Sequence, residues 1–340
     1  MKIFAPTSKD IVVLAMHKIG DSVFTVPAIR FLRQRYPESK ITVFCYPNNV
    51  RVYEYAFGED VEIVELDPKL FSRGERWAPA EYRKHVQSLK PGKVFDLLGS
   101  LKSFSLIFTL PVKHISAITD PMLAGFFDER IYQQDYNTLI DPYLVTVGAD
   151  PEKDKNLKYF PVRENRNNSV LINPFGGWKA KEWNFVKFIE LYKKLQTDYD
   201  VTFVFQKGLI KDDILKQLDV EEIKYVESAS MDHLFEITDN CGAFISNDTG
   251  PLYVANLLGS PTFAIYGPTN PDYTKPLGEE HEYIQKILKC SSKPIEKFCY
   301  TYGGRIGCPA FECMNLLSVE IVYNNIIKFL KRNNIAPRNS

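Results

Sequence analysis

The stretch Ile11-Val12-Val13-Leu14-Ala15-Met16-His17-Lys18-Ile19-Gly20-Asp21 decides the fold: an apolar run, a turn at Gly20-Asp21, then an amphipathic segment over residues 23–35 that stops ahead of Pro37. An uninterrupted apolar run this short reads as a strand buried on both faces, and the period of the segment after it as a helix. Working outward, the unit recurs. Short strands are predicted at residues 41–45, 61–66, 94–98 and 114–118, separated by helix-length segments such as 81–89 and 103–110. Strands alternating with helices predict a parallel sheet covered on both faces.

A polar interval at residues 150–168, containing Pro151 and Pro161, breaks the alternation and is taken as a linker. A fresh strand at 169–173 opens the second half. It continues with a helix at 184–195, strands at 201–205, 223–226 and 243–246, a helix at 252–258, a strand at 262–266 and a final amphipathic helix at 319–330. The prediction is an α/β protein with two doubly wound, Rossmann-like parallel sheets. Their strand carboxyl ends are expected around a shared cleft, where ligands of such sheets bind.

The composition agrees. The chain has 340 residues, 45% apolar and 25% charged, enough for two domains with buried cores. Lys plus Arg and Asp plus Glu each number 42, so no overall field recruits nucleic acid, and any membrane contact is peripheral and local. The first apolar run is far shorter than the ~20 residues of a bilayer span, and no secretory signal is visible. A cytoplasmic protein with reduced thiols is expected.

Four strand-to-helix loops carry the candidate chemistry. In the first, Gly20 permits a tight turn that brings Asp21 to the mouth of the sheet, where it serves either as a helix N-cap or as a catalytic carboxylate. The G-x-G-x-x-G run of a dinucleotide site is absent. In the second, Ser246-Asn247-Asp248-Thr249-Gly250-Pro251 precedes a helix whose free N–H groups suit a diphosphate, the plain alternative being capping by Asp248. The third, Tyr266-Gly267-Pro268-Thr269-Asn270-Pro271, lines the same region. The fourth, residues 173–183, holds Lys179, Lys181, Trp178 and Trp183; an ammonium there would neutralise a departing phosphate without a metal.

Two of these segments resemble glycosyltransferase family 9, the ADP-heptose:lipopolysaccharide heptosyltransferases. His17-Lys18-Ile19-Gly20-Asp21-Ser22-Val23-Phe24-Thr25-Val26-Pro27-Ala28-Ile29 is similar to the family's amino-terminal signature. Asn247-Asp248-Thr249-Gly250-Pro251-Leu252-Tyr253-Val254-Ala255-Asn256-Leu257-Leu258-Gly259-Ser260-Pro261, followed by Tyr266-Gly267-Pro268-Thr269, is similar to its second signature, and Lys181-Glu182-Trp183 falls at its Lys-x-Trp position. The resemblance implies a GT-B fold, with an acceptor-binding domain over residues 1–160 and a sugar-nucleotide domain over 161–340 whose last helix packs back towards the first. It implies inverting transfer with no required cofactor. Asp21 matches the general base, within roughly 2.6–3.2 Å of the acceptor hydroxyl in the productive complex, and Lys18 and Gly20 fall on the acceptor side. Asp248, Thr249 and Gly250 match the donor-phosphate loop, and Lys181 the diphosphate lysine. Tyr253 stands where many relatives carry His at a donor contact, and the acidic nucleotide loop is loosely matched by residues 206–213, where Asp212 is the ribose candidate.

Weaker signals have plainer readings. Asp198-Tyr199-Asp200 resembles a metal-holding Asp-x-Asp but precedes a strand, at the wrong end for the site, and reads as a turn. Cys45 and Cys241 read as core residues. Cys290, Cys299, Cys308 and Cys313 follow a C-x8-C-x8-C-x4-C spacing unlike paired zinc knuckles; reduced structural thiols are the default and a bound metal the alternative. Arg30, Arg33 and Arg35, with Lys18, Lys69, Arg73, Lys102 and Lys113, are solvated faces or cations for an acceptor bearing phosphate or Kdo carboxylates. The expectation is transfer of heptose from an ADP-sugar to a lipid A/core oligosaccharide at the inner face of the cytoplasmic membrane. The alternatives are transfer to a protein or another surface glycan, and a non-catalytic sugar-nucleotide-binding relative.

Overall fold

The computed structural model describes residues 9–67, 78–112, 114–119, 121–294, 296–299, 308 and 310–338. The chain divides into two compact units, Met1–Lys158 and Tyr159–Ser340. The first runs β1 (Ile11–Leu14), α1 (Ile19–Arg35), β2 (Ile41–Cys45), α2 (Val50–Phe57), β3 (Glu62–Glu65), α3 (Ala80–Ser88), β4 (Lys93–Asp96), α4 (Leu101–Ile107), β5 (Ile115–Ile118), β6 (Glu129–Ile131) and α5 (Ile140–Thr146). Its six parallel strands lie in the order β3-β2-β1-β4-β5-β6. All residues of β1 and β2 are buried, as their unbroken apolar runs require.

The second unit runs β7 (Ser169–Asn173), α6 (Phe185–Leu195), β8 (Asp200–Gln206), α7 (Asp212–Val220), β9 (Tyr225–Ser228), α8 (Met231–Thr238), β10 (Ala243–Asn247), α9 (Gly250–Leu257), β11 (Thr262–Tyr266) and β12 (Glu282–Gln285). The order is β9-β8-β7-β10-β11-β12, again all parallel, so the first and fourth strands of each unit are neighbours in both sheets. Such a pairing is a topological switch point: the connections on either side run away from each other and leave the two central loops open to a ligand.

The final helix, Val319–Arg332, buries Val322, Ile326, Phe329 and Leu330 at helical spacing in the same apolar cluster as Val170, Trp183 and Phe188. Ser318 caps it by accepting a hydrogen bond from Ile321 N. No helix among the described residues is long and apolar enough to cross a membrane.

Candidate active site

At the switch point of the first unit, β1 and β4 lie side by side with Leu14 opposite Asp96. The loop after β1 is held by Asn49, whose amide donates to the His17 carbonyl at 2.6 Å, and by the His17 ring packed edge-on to Tyr143. α1 begins at Ile19 with Lys18 at the N-cap, so Asp21 lies inside the first turn. The capping reading of Asp21 is thereby corrected: its backbone is already helical. Its half-buried carboxylate accepts no hydrogen bond and forms no ion pair among the described residues, while the helix terminus favours its negative charge. Gly20 is buried beside it and Lys18 is exposed.

The loop after β4 holds a residue that the sequence reading passed over. Asp96 is fully buried; its Oδ1 accepts from Leu98 N and Gly99 N at 3.0 Å each, and Oδ2 has no partner among the described residues. Burial pushes this carboxyl up to about 6, against the opposing pull of Ser103 and the two N–H groups. Gly99 turns here with φ +64°, and a Cβ on it would stand 1.9 Å from the Ile118 carbonyl oxygen. The visible signal was an Asp ending an apolar strand and a Gly three residues on.

The second switch point joins the loops after β7 and β10. Trp183 anchors the first: its backbone N–H donates to Asn247 Oδ1 and its indole to the Leu317 carbonyl, both at 3.0 Å. Asn247 in turn donates to the Pro174 carbonyl at 2.8 Å. The two loops are thus one unit, and Lys181 is delivered to Asp248 with Nζ–Oδ2 of 2.6 Å. Their side chains are 17% and 3% exposed, respectively. Lys179 instead reaches solvent and pairs with Glu182.

Asp248 does not cap α9; Thr249 holds the N-cap position, and Asp248 turns inward to Lys181, Tyr253 and Thr269. The Thr249 hydroxyl meets Ser246 Oγ at 3.1 Å and makes no cap bond to the start of α9 at Gly250-Pro251. An uncapped helix start beside a held ammonium is equipped for an anion. Gly176 approaches closely, since a Cβ there would be 3.3 Å from Thr249 Cγ2. Tyr253 is buried with its hydroxyl on Asp248. Asp212 is exposed in the first turn of α7, after β8, the strand beside β7.

The weaker signals resolve simply. Asp198 and Tyr199 lie in the turn ahead of β8, as expected, whereas Asp200 is the first residue of the strand and pairs with Lys224 and Arg338. Arg33 donates to the Ser39 and Pro37 carbonyls beyond the end of α1; Lys69, Arg73 and Lys113 lie outside the described residues. Burial pushes the Cys45 and Cys241 thiols up to about 12, as core residues. Cys290, Cys299, Cys308 and Cys313 line one cavity of about 230 Å³ beside Gly267 and Pro268. No three His, Cys, Asp or Glu among the described residues form a group that could hold a metal ion. Burial pushes Cys313 up to about 11, and its neighbouring cysteines add to that.

Two six-stranded parallel units of this kind form the GT-B fold of glycosyltransferases. The chain belongs to glycosyltransferase family 9 (heptosyltransferase), whose model matches residues 83–299, and it is a transferase enzyme. It is 32% identical over 219 residues to lipooligosaccharide heptosyltransferase 2 of Haemophilus influenzae, covering 60% of each chain. It is 23% identical over 317 residues to lipopolysaccharide heptosyltransferase 2 of Escherichia coli, covering 82% of this chain and 88% of that one. The solved structure of E. coli ADP-heptose LPS heptosyltransferase II aligns with a TM-score of 0.72 over 96% of this chain and 99% of that one, at 18% identity, a likeness of fold.

Proposed function

We propose that the enzyme transfers heptose with inversion from ADP-heptose to a lipopolysaccharide inner-core acceptor, at the cytoplasmic face of the membrane. The observation that carries this reading is the second switch point: a half-buried Lys181 fixed beside the uncapped start of α9, in a chain whose relatives are lipopolysaccharide and lipooligosaccharide heptosyltransferases. In the proposed step Asp21 takes the proton of the acceptor hydroxyl, and that oxygen forms a bond to the anomeric carbon. The bond from that carbon to the diphosphate oxygen breaks, and its electron pair leaves with ADP. Lys181 and the N–H of Gly250 meet the negative charge that develops there, so protonation of the leaving group is unnecessary. Asp212 contacts the ribose. Lys18 and Gly20 border the acceptor.

Calorimetry against ADP-, UDP- and GDP-sugars tests the donor half: an adenine preference is expected, and a uridine or guanosine preference would redirect the assignment. Release of ADP with a core-oligosaccharide acceptor separates an enzyme of this specificity from a relative that only binds nucleotide sugar.

A further inference from the structure

We infer that Tyr253 is a positioning residue for Lys181, acting through Asp248; the inference rests on Lys181 being a ligand of the donor phosphates. The Asp248 carboxylate takes three donors at once. Oδ1 accepts from the Tyr253 hydroxyl at 2.5 Å, and Oδ2 accepts from Lys181 Nζ at 2.6 Å and Thr269 Oγ1 at 2.7 Å. A carboxylate facing a diphosphate would repel it, so this buried anion contributes through the cation it holds. Anchored by Oδ2 alone, the group would swing about its terminal torsion. Tyr253 fixes the second oxygen, and with it the point in space where the ammonium sits.

Proton counting gives the network a direction. Tyr253 spends its single O–H on Asp248, so towards the Tyr266 hydroxyl, 3.4 Å away, it can only accept. Tyr266 likewise has one O–H, shared between that oxygen and the Thr274 carbonyl at 3.2 Å. Burial holds both phenols well above their ordinary range, so they remain neutral donors. The brace therefore draws on α9 through Tyr253, on β11 through Tyr266 and on the loop after β11 through Thr269. Lys181 gives one of its three protons to Asp248 and lies 4.8 Å from the centre of the Trp178 ring, which leaves donors for an incoming anion.

The test is a double-mutant cycle on the full chain with ADP as the probe, read by calorimetry. Lys181→Met should remove most of the ADP affinity. Tyr253→Phe, which keeps the ring, should weaken ADP about 10-fold alone. In the Lys181→Met background it should cost less than about 2-fold, because its route to the ligand is gone. Equal losses in both backgrounds, or no loss in either, would overturn the inference. Wild type and Lys181→Met binding ADP equally would instead remove the phosphate role of Lys181 on which it stands. Thr269→Val, which strips the other hydroxyl from Asp248, should show the same dependence on Lys181 and serves if Tyr253→Phe does not fold.

Discussion

Acidification should weaken the second unit through one imidazole. His281 precedes β12, and its Nδ1 accepts the Thr262 backbone N–H at 3.1 Å. Both ring nitrogens face N–H donors, Nδ1 that of the Thr262 backbone and Nε2 that of the Asn256 side-chain amide at 2.8 Å, and a second ring proton would confront them. Burial is the main cause that pushes this histidine down to about 4 from 6.5; Arg332 lowers it further and Glu280 opposes. Between those values the unfolded chain binds a proton that the folded chain refuses. The contribution of His281 is therefore intact above pH 6.5 and is lost progressively as the pH falls towards 4. The gap corresponds to about 3 kcal/mol below both values, of which about 2.5 kcal/mol is reached at pH 4.5. Urea unfolding at pH 7.5 and 4.5 measures it. A Trp77→Phe background leaves Trp178 and Trp183, both in the second unit, as reporters. His281→Gln, which cannot titrate, should lose about 2.5 kcal/mol less than wild type over this interval. Identical acid losses in the two proteins would refute the reasoning.

Asp96 should act with the opposite sign in the first unit. Its folded value of about 6 lies above the ordinary 3.8, so its contribution is full below pH 3.8 and is lost as the pH rises through 6. Protection of the β1 and β4 amides in hydrogen exchange should rise by about 1 kcal/mol from pH 7 to 5 in wild type and not in Asp96→Asn. Gly99→Ala should cost about 3 kcal/mol or more, against about 1 kcal/mol for Gly58→Ala, as read from thermal melts. Both glycines have positive φ, but only at Gly99 would a Cβ strike backbone. Asp21→Asn should lower turnover by about 10³-fold and leave ADP affinity and melting temperature near wild type, because its carboxylate has no partner to lose. Full retained turnover would remove Asp21 from the mechanism.

The strands legible in the sequence were those with unbroken apolar runs: β2, β7 and β11 fall on the expected residues 41–45, 169–173 and 262–266. The edge strands β6 and β12 escaped because much of their length faces outward and no apolar run marks them. α1 starts four residues ahead of the expected position 23, since Gly20, Asp21 and Ser22 are turn formers that sequence reasoning places outside a helix. α2, α5, α7 and α8 were not marked as helices either. At the site, the loops and the Lys181 and Asp248 residue types were legible; the direction of the Asp248 carboxylate was not. That direction depends on Tyr253 and Thr269, which reach it from a helix and from the loop after the next strand.

In both sheets the first strand lies against the fourth, and what meets there arrives from stretches of chain far apart in sequence. Lys181 and Asp248 are separated by two whole strand–helix excursions, β8–α7 and β9–α8, which build one wing of the sheet. Those excursions can drift, lengthen or change composition while the pair is kept, as long as they still close the wing. A lineage built on this plan can therefore lose most of its sequence likeness yet preserve two short loops.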